Sequence, residues 1–248
     1  MSEEQQKISQ PGISGYLIQH SKQLSTLLIA AIIIVALSAV WMHFKDKKLE
    51  GARSALFEAA QLLEKEELAV QDTQKKDIEK NKPAKKKAAP DEATPPPQFQ
   101  ELDVNATFPK TIEAYKKIIT QYPGSLPAFQ AQITLGNLYF DHKNLTIALE
   151  YFKAALKNAP SSLEKVSTYF LIANTQENSS QYQEAVQSIQ EALGYKIDFL
   201  KGDLLIAQAR CFEQLKDKEK AKSVYDKVLA DLPNTPFAEA AEVYRAKL

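Results

Sequence analysis

Residues 135–160 read LGNLYFDHKNLTIALEYFKAALKNAP, two apolar helical patterns separated by the polar run DHKN and closed by a proline. The spacing predicts two helices that pack against each other. Gly136 and Ala148 are small enough to let the helix axes approach closely, and Tyr139 and Phe152 fill the space around them. The closing proline ends the second helix, because its ring cannot continue the helical hydrogen bonding.

The second helix of this pair has counterparts along the chain. The runs TIEAYKKIITQYP, IALEYFKAALKNAP, EAVQSIQEALGYKI and KAKSVYDKVLADLP end at Pro123, Pro160, Ile197 and Pro233, which are 37, 37 and 36 residues apart. A period near 34 residues with two helices per unit is the signature of a helical solenoid. Each unit is too small to bury its own apolar face and needs its neighbours.

The best-formed unit resembles the tetratricopeptide repeat. That family's pattern of large, small and aromatic residues, followed by alanine, aromatic, alanine and proline, is matched at Leu135, Gly136, Tyr139, Ala148, Phe152, Ala155 and Pro160. The next units are looser, since Gln176 stands where the family has an aromatic residue and Ile197 where it has proline. The resemblance implies an all-α helical solenoid.

The sequence also predicts where two helices begin and where one repeat is interrupted. Ser161 with Glu164 predicts an N-cap for the helix that opens the second unit, and the run from Thr235, with Pro236 in its first turn, predicts a final capping helix. Tyr115 belongs to a second helix whose first helix is not adjacent in sequence. We expect residues 52–63 to supply that partner, so that the segment between them is an insertion within a repeat.

Residues 23–44 read QLSTLLIAAIIIVALSAVWMHF, and 22 residues at about 1.5 Å each give about 33 Å, the thickness of a bilayer core. This predicts a single N-terminal transmembrane helix after a tail of residues 1–22. A cleaved signal peptide is the alternative, but the apolar stretch exceeds a typical signal core and no small-residue cleavage site follows it.

Beyond the anchor, residues 45–70 carry a helical apolar stripe and predict a juxtamembrane helix. Residues 71–108 are rich in lysine and proline and predict a disordered insertion, followed by the repeat domain at 109–248. The lysines could contact anionic lipid or nucleic acid, but no aromatic residue is interleaved for base stacking, and a solvated loop is the simpler interpretation.

The whole layout resembles the YfgM-like ancillary subunits of the bacterial SecYEG translocon. Arg53 with Ser54, the GDLL at 202–205 and the repeat positions carry this likeness, and the insertion departs from it. It implies a single-pass inner-membrane protein with a periplasmic repeat domain, with the translocon and periplasmic chaperones as partners. The flanking charges favour the opposite orientation, since more basic residues follow the helix than precede it: Lys7 and Lys22 against Lys45, Lys47, Lys48 and Arg53.

Composition argues against chemistry. The chain of 248 residues is formally neutral, its three histidines fall near the anchor or in a turn, and no glycine-rich phosphate loop precedes a helix. Its one cysteine, Cys211, is expected to be a small buried residue. We therefore expect no enzyme activity and no cofactor or metal.

The resemblance implies a partner-binding groove on the first helix of each unit, at Ile133, Asn137, Phe140, Phe170, Asn174 and Glu177. Two asparagines one repeat apart could bracket a peptide backbone, because each amide both donates and accepts. Relatives that clamp a C-terminal carboxylate have lysine at the positions of Ile133 and Phe170, so this groove should not be such a clamp. Alternatively, those two side chains pack against neighbouring helices.

These features predict a membrane-anchored interaction platform that links protein export to periplasmic chaperones, without nucleic acid. Three alternatives remain open at this stage. One is an envelope scaffold for cell division or outer-membrane machinery, the second is a cytoplasm-facing adaptor, and the third is an enzyme or regulatory subunit whose chemistry leaves no sequence motif.

Overall fold

A computed structural model describes residues 21–80 and 103–248, and within the first of these ranges it describes the side chains of residues 34–76 except 36 and 45. The two ranges are helical throughout, with short turns between helices. The helices are α1 (Ser21–Lys80), α2 (Val104–Thr107), α3 (Pro109–Gln121), α4 (Leu126–Asp141), α5 (Leu145–Lys157), α6 (Ser162–Asn178), α7 (Tyr182–Gly194), α8 (Lys201–Gln214), α9 (Lys218–Asp231) and α10 (Pro236–Arg245), with a 3-10 turn at Asp198–Leu200.

The chain divides into two compact units, residues 1–50 and residues 51–248. The described part of the first unit is helical, and seven of its large apolar side chains are more than half exposed to solvent: Ile34, Val35, Leu37, Val40, Trp41, Met42 and Phe44. Among the residues that the structure describes, no helix combines the length and the hydropathy needed to cross a membrane.

The second unit is an array of antiparallel helix pairs. In each pair the first helix (A) packs against the second (B), and B packs against the A helix of the next pair, which gives the order α4–α5, α6–α7 and α8–α9. The buried apolar side chains form three successive clusters along the array. The core is therefore shared between neighbouring repeats, as a solenoid requires.

The close approach predicted within the best-formed pair is confirmed. A Cβ atom placed on Gly136 would lie 2.4 Å from Cε1 of Phe152, which is closer than any carbon pair tolerates. Leu135, Ala148 and Phe152 are almost completely buried. Glycine at position 136 is thus a packing requirement of the α4–α5 contact.

Part of α1 supplies the first A helix, as the sequence predicts. Ala59 is fully buried in the same cluster as Ile112 and Tyr115 of α3. At the other end of this contact, the carboxylate of Glu66 accepts hydrogen bonds from the backbone N–H groups of Lys110 (3.4 Å) and Thr111 (3.2 Å). Those groups have no partner within α3, so a side chain 44 residues earlier caps the helix.

The structure differs from the sequence boundaries on both sides of the insertion. Helix α1 continues past residue 70 to Lys80, because 71–80 contains no proline or glycine and the next proline along the chain is Pro83. At the other side, Val104 and Phe108 are buried against α3 and α4 rather than disordered. Residues 81–102, the remainder of the predicted disordered insertion, and residues 1–20 of the predicted tail lie outside the described residues.

The two departures from the repeat pattern have visible consequences. Gln176, in place of an aromatic residue, accepts a buried hydrogen bond of 2.7 Å from the hydroxyl of Ser188, so its amide oxygen is satisfied inside the core. Where Ile197 replaces proline, the chain makes a 3-10 turn before α8 begins. Both departures are accommodated locally and the helix pairing continues.

Both predicted helix caps are confirmed. Ser161 is the N-cap of α6, where its hydroxyl accepts from the N–H of Leu163 and bonds the carboxylate of Glu164. Thr235 caps α10 by accepting from the N–H of Ala238. Helix α10 closes the array with its Phe237 ring, which lies where a side chain on Gly202 would otherwise sit.

Candidate interaction surface

One face of the A helices repeats from unit to unit and forms a candidate interaction surface. The six groove residues predicted from the sequence occupy positions i, i+4 and i+7 of α4 and of α6. The same offsets continue onto α8. We call the combined face the A-helix surface, consisting of Ile133, Asn137 and Phe140, then Phe170, Asn174 and Glu177, then Ile206, Arg210 and Glu213.

The third set was missed at the sequence level, although the signal was present. The repeat ends are 37 residues apart between the first two units and 36 apart between the last two. Moving Asn174 forward by 36 residues gives Arg210. The polar row therefore changes from amide to guanidinium at its C-terminal end.

The apolar members of the surface are half-buried. Ile133 and Phe140 pack against the first core cluster, and Phe170 packs against the second. This agrees with the alternative that Ile133 and Phe170 contact neighbouring helices, yet each keeps part of its side chain accessible. These side chains therefore form a partly buried apolar surface and do not project fully into solvent.

The polar members stand further out. Asn137 is exposed, and Asn174 is half-buried with its side-chain oxygen accepting a 3.1 Å hydrogen bond from the amide of Asn178. The side-chain nitrogen of Asn178 also donates to the backbone carbonyl of Asn174. Asn174 is thus held by its own helix, while Asn137 is more open to solvent.

An ion pair crosses the surface between α6 and α8. Nε and Nη2 of Arg210 each donate a 2.8 Å hydrogen bond to a different carboxylate oxygen of Glu177. The Glu177 side chain is 18% exposed and that of Arg210 is 48% exposed. Its hydrogen bonds to Glu177 raise the pKa of Arg210 above the usual value, so the guanidinium stays charged at any physiological pH.

This ion pair connects the A-helix surface of α6 to that of α8, although Glu177 and Arg210 are 33 positions apart in the sequence. Two parallel hydrogen bonds fix the guanidinium plane, so the remaining N–H groups of Arg210 point in a set direction. Glu213 does not take part in this ion pair. Its carboxylate accepts a 2.5 Å hydrogen bond from the hydroxyl of Tyr225 on α9.

A shallow cleft of about 480 Å³ is lined by residues of α2, α3, α4 and α5: Asn105, Lys116, Tyr139, Ile147, Glu150, Tyr151 and Ala154. Tyr139 and Tyr151 stack there with ring centroids 5.7 Å apart. Burial raises the pKa of Tyr151 to about 12, so its hydroxyl stays protonated and does not serve as a base.

The described residues offer little for chemistry. In that part of the chain, no group of three or more histidine, cysteine, aspartate or glutamate side chains is placed to hold a metal ion. Cys211 is completely buried, as the sequence predicts, and burial raises the pKa of its thiol to about 12. A thiol that stays protonated is a poor nucleophile.

Comparison with known proteins identifies the repeats. Family models of the tetratricopeptide repeat match residues 108–162, 166–196 and 203–235. No curated protein sequence matches the chain.

Solved structures with a similar arrangement share little sequence with it. MamA is 20% identical over 52% of this chain and 71% of its own, with a TM-score of 0.42. A putative kinesin light chain repeat protein of Podospora anserina is 13% identical over 58% of this chain and 78% of its own, with a TM-score of 0.47. YrrB, described as a repeat protein with an unusual peptide-binding site, is 15% identical over 56% and 69%, with a TM-score of 0.41.

Proposed function

Because residues 108–162, 166–196 and 203–235 carry tetratricopeptide repeats, we propose that this chain is a membrane-anchored platform that binds protein partners on its A-helix surface. Such repeats serve in general as scaffolds for protein or peptide partners, and they are generally non-enzymatic. The partner is a protein segment, and the chain itself performs no catalysis.

The observation that carries this proposal is the repetition of the A-helix surface itself. A half-buried apolar row runs beside a polar row on three successive helices, and the rows are spaced by one repeat. An extended peptide offers alternating side chains and backbone amides, which suit an apolar floor flanked by groups that donate and accept hydrogen bonds. At the C-terminal end the charge of Arg210 is balanced by its ion pair with Glu177, so that end of the surface is polar without a net positive charge.

The anchor is the second part of the proposal. The amino-acid sequence of residues 23–44 contains no aspartate, glutamate, lysine or arginine, and as one helix it would be about 33 Å long, the thickness of a bilayer core. The exposed apolar side chains between Ile34 and Phe44 support it, because surface of this kind is unfavourable in water and favourable in lipid. We place the protein in a bacterial inner membrane as a single-pass protein.

The specific role is an ancillary translocon subunit that links protein export to periplasmic chaperones. The order of tail, membrane helix, juxtamembrane helix and repeats supports it through the resemblance to the YfgM-like subunits. This role requires the repeat domain to lie in the periplasm.

Orientation is tested by fusing a reporter that is active only outside the cytoplasm to Leu248. Activity supports the periplasmic placement. An inactive reporter on a stable, membrane-extracted fusion supports the flanking charges instead, and the chain would then be a cytoplasm-facing adaptor.

Partner binding is tested by copurification after mild detergent extraction. We expect translocon subunits and chaperones to copurify with the native chain and to be lost in Asn137→Lys, which adds charge and bulk to the A-helix surface. Gln183→Lys places the same residue on the exposed side of α7 and should leave copurification unchanged. Reproducible absence of translocon subunits and chaperones would remove the specific role, and division or envelope defects with intact secretion on depletion would favour an envelope scaffold.

A further inference from the structure

The segments that connect successive repeats are almost free of charge, and the ion pair between Lys201 and Asp231 lies directly beside two of them. Each junction connects a B helix to the next A helix, and the four read YPGSL (122–126), NAPSSL (158–163), YKIDFL (195–200) and LPNTPF (232–237). Only Lys196 and Asp198 carry charge there, and they cancel. Charged residues make up 25% of the chain as a whole, so their depletion in these segments is marked.

Large apolar side chains are exposed in the same segments. Leu126 is 45% exposed and Leu163 is 46% exposed, each in the first turn of an A helix. Phe199 is 77% exposed in the 3-10 turn before α8. The three are 37 and 36 residues apart, the repeat spacing, so a regular array places them in one row, which we call the junction edge.

The opposite edge has another character. Its turns connect the A helix to the B helix of one unit and read DHKN (141–144), SSQ (179–181) and LKDK (215–218). Leu215 is 38% exposed there, but the surrounding residues are charged or strongly polar. The array is therefore amphipathic from edge to edge, which repeat packing alone does not require.

The chain enters the repeat unit at the junction edge. Gly51 lies against the ring of Tyr122 at the C-terminal end of α3, where a Cβ on Gly51 would be 3.2 Å from the Tyr122 hydroxyl. Glu66 lies at the other end of α3, so this part of α1 runs antiparallel to it. Only residues 45–50 separate Gly51 from the end of the anchor, and even fully extended they span about 20 Å.

We propose that the junction edge rests on the lipid surface and inserts Leu126, Leu163 and Phe199 into the interfacial region of the bilayer. The transfer of apolar side chains from water to that region is favourable. The junction segments carry few charges, so little free energy is lost by removing charged groups from water. The proposal depends on the anchor put forward under the proposed function.

The test uses the full chain in protein-free lipid vesicles, with a fluorescent label on a single introduced cysteine. Ser162→Cys places the label on the junction edge, and Gln181→Cys places it on the opposite edge; both native residues are exposed. Cys211 is buried and does not compete for the label. Quenching is measured with lipids brominated near the headgroup, after flotation has shown that the chain is bound to the vesicles.

We expect the label at position 162 to be quenched several-fold more strongly than the label at 181. Combining Leu126→Ser, Leu163→Ser and Phe199→Ser should bring quenching at 162 down to the level at 181, while the helical circular dichroism stays unchanged. Equal quenching at both positions on a floated chain overturns the proposal. Shielding of the 162 label from an aqueous quencher without lipid quenching also overturns it and assigns the edge to a second copy.

The membrane anchor and the lipid contact of the junction edge can be refuted separately. A chain that does not float with the vesicles refutes the anchor. A chain that floats but shows no difference between the two labels refutes only the lipid contact of the junction edge.

Discussion

Replacing Gly136 with alanine should destabilise the repeat domain, although the same change usually strengthens a helix. An alanine Cβ at this position would lie 2.4 Å from Cε1 and 2.6 Å from Cδ1 of Phe152. The ring is 1% exposed and enclosed by the core, so it has no open space into which it can move. Relief of the clash therefore requires the helices α4 and α5 to separate.

The magnitude follows from two opposing terms. Overpacking a core by one methyl group costs about 1–3 kcal/mol, whereas glycine to alanine within a helix gains about 1 kcal/mol. The net expectation for Gly136→Ala is a loss of about 1 kcal/mol, which lowers the melting temperature of a domain of this size by about 3 °C. Thermal and urea denaturation of the detergent-solubilised chain measure both quantities.

Gly194→Ala is the matched control. Gly194 is the last residue of α7, is exposed, and has no atom within 4 Å of the position where a Cβ would be. Alanine there should stabilise the domain by about 0.5 kcal/mol. If both substitutions stabilise the protein, the close approach of α4 and α5 is wrong.

A double-mutant cycle separates the clash from other effects. Phe152→Leu removes the ring and creates space, so Gly136→Ala should be tolerated better in that background than in the native chain. A coupling energy near zero would mean that the ring does not limit residue 136.

Three further predictions concern single contacts. Ser188→Ala should lower the free energy of unfolding, measured in urea, by about 1–2 kcal/mol, because it leaves the buried amide oxygen of Gln176 without a donor. Adding Gln176→Leu should restore most of that loss. A Ser188→Ala variant as stable as the native chain would contradict this prediction. Glu66→Ala should lower the free energy of unfolding by about 1 kcal/mol and speed amide hydrogen exchange in the first turn of α3. Glu64 is exposed, and Glu64→Ala should change neither quantity. Equal exchange in the two variants would contradict the role of Glu66 as a cap. Burial raises the pKa of the Cys211 thiol from its ordinary value of 9.0 to about 12, so above pH 9 the unfolded chain releases a proton that the folded chain keeps. Stability should therefore fall by about 1.4 kcal/mol per pH unit between these two values. Cys211→Ala should flatten this alkaline loss, and an unchanged slope would contradict the prediction.

Helix pairing was predictable from sequence because its determinants are local and periodic. Gly136, Phe152 and the helix caps at Ser161 and Thr235 are each recognisable within one or two turns of sequence. The repeat spacing then fixes which helices are neighbours, since each unit must cover the apolar face of the last.

Contacts that span an insertion or cross between repeats were not predictable in the same way. The cap of α3 by Glu66 depends on a partner 44 residues away, and no periodicity connects the two. The pairing of Glu177 with Arg210 depends on side-chain rotamers across two helices. The predicted helix end at residue 70 was wrong because loss of the apolar stripe was taken as loss of the helix, whereas helix-forming residues continue it to Lys80, with exposed side chains at 71–76.

The A-helix surface was only partly predicted. The offsets that gave Asn137 and Asn174 were applied to two units and were not extended to the third, where they give Arg210. Whether these residues bind a partner stays a prediction, since their positions are compatible with both packing and recognition.

Site-specific photo-crosslinking in intact membranes addresses partner binding most directly. A photoreactive phenylalanine at Asn137 or Asn174 reports on the A-helix surface, and the same residue at the exposed Lys153 of α5 reports on the opposite helix layer. We predict that positions 137 and 174 crosslink to a translocon subunit or a chaperone and that position 153 does not. Crosslinks to those proteins from position 153 alone, or equally from all three positions, would show that the A-helix surface is not where this chain binds its partners.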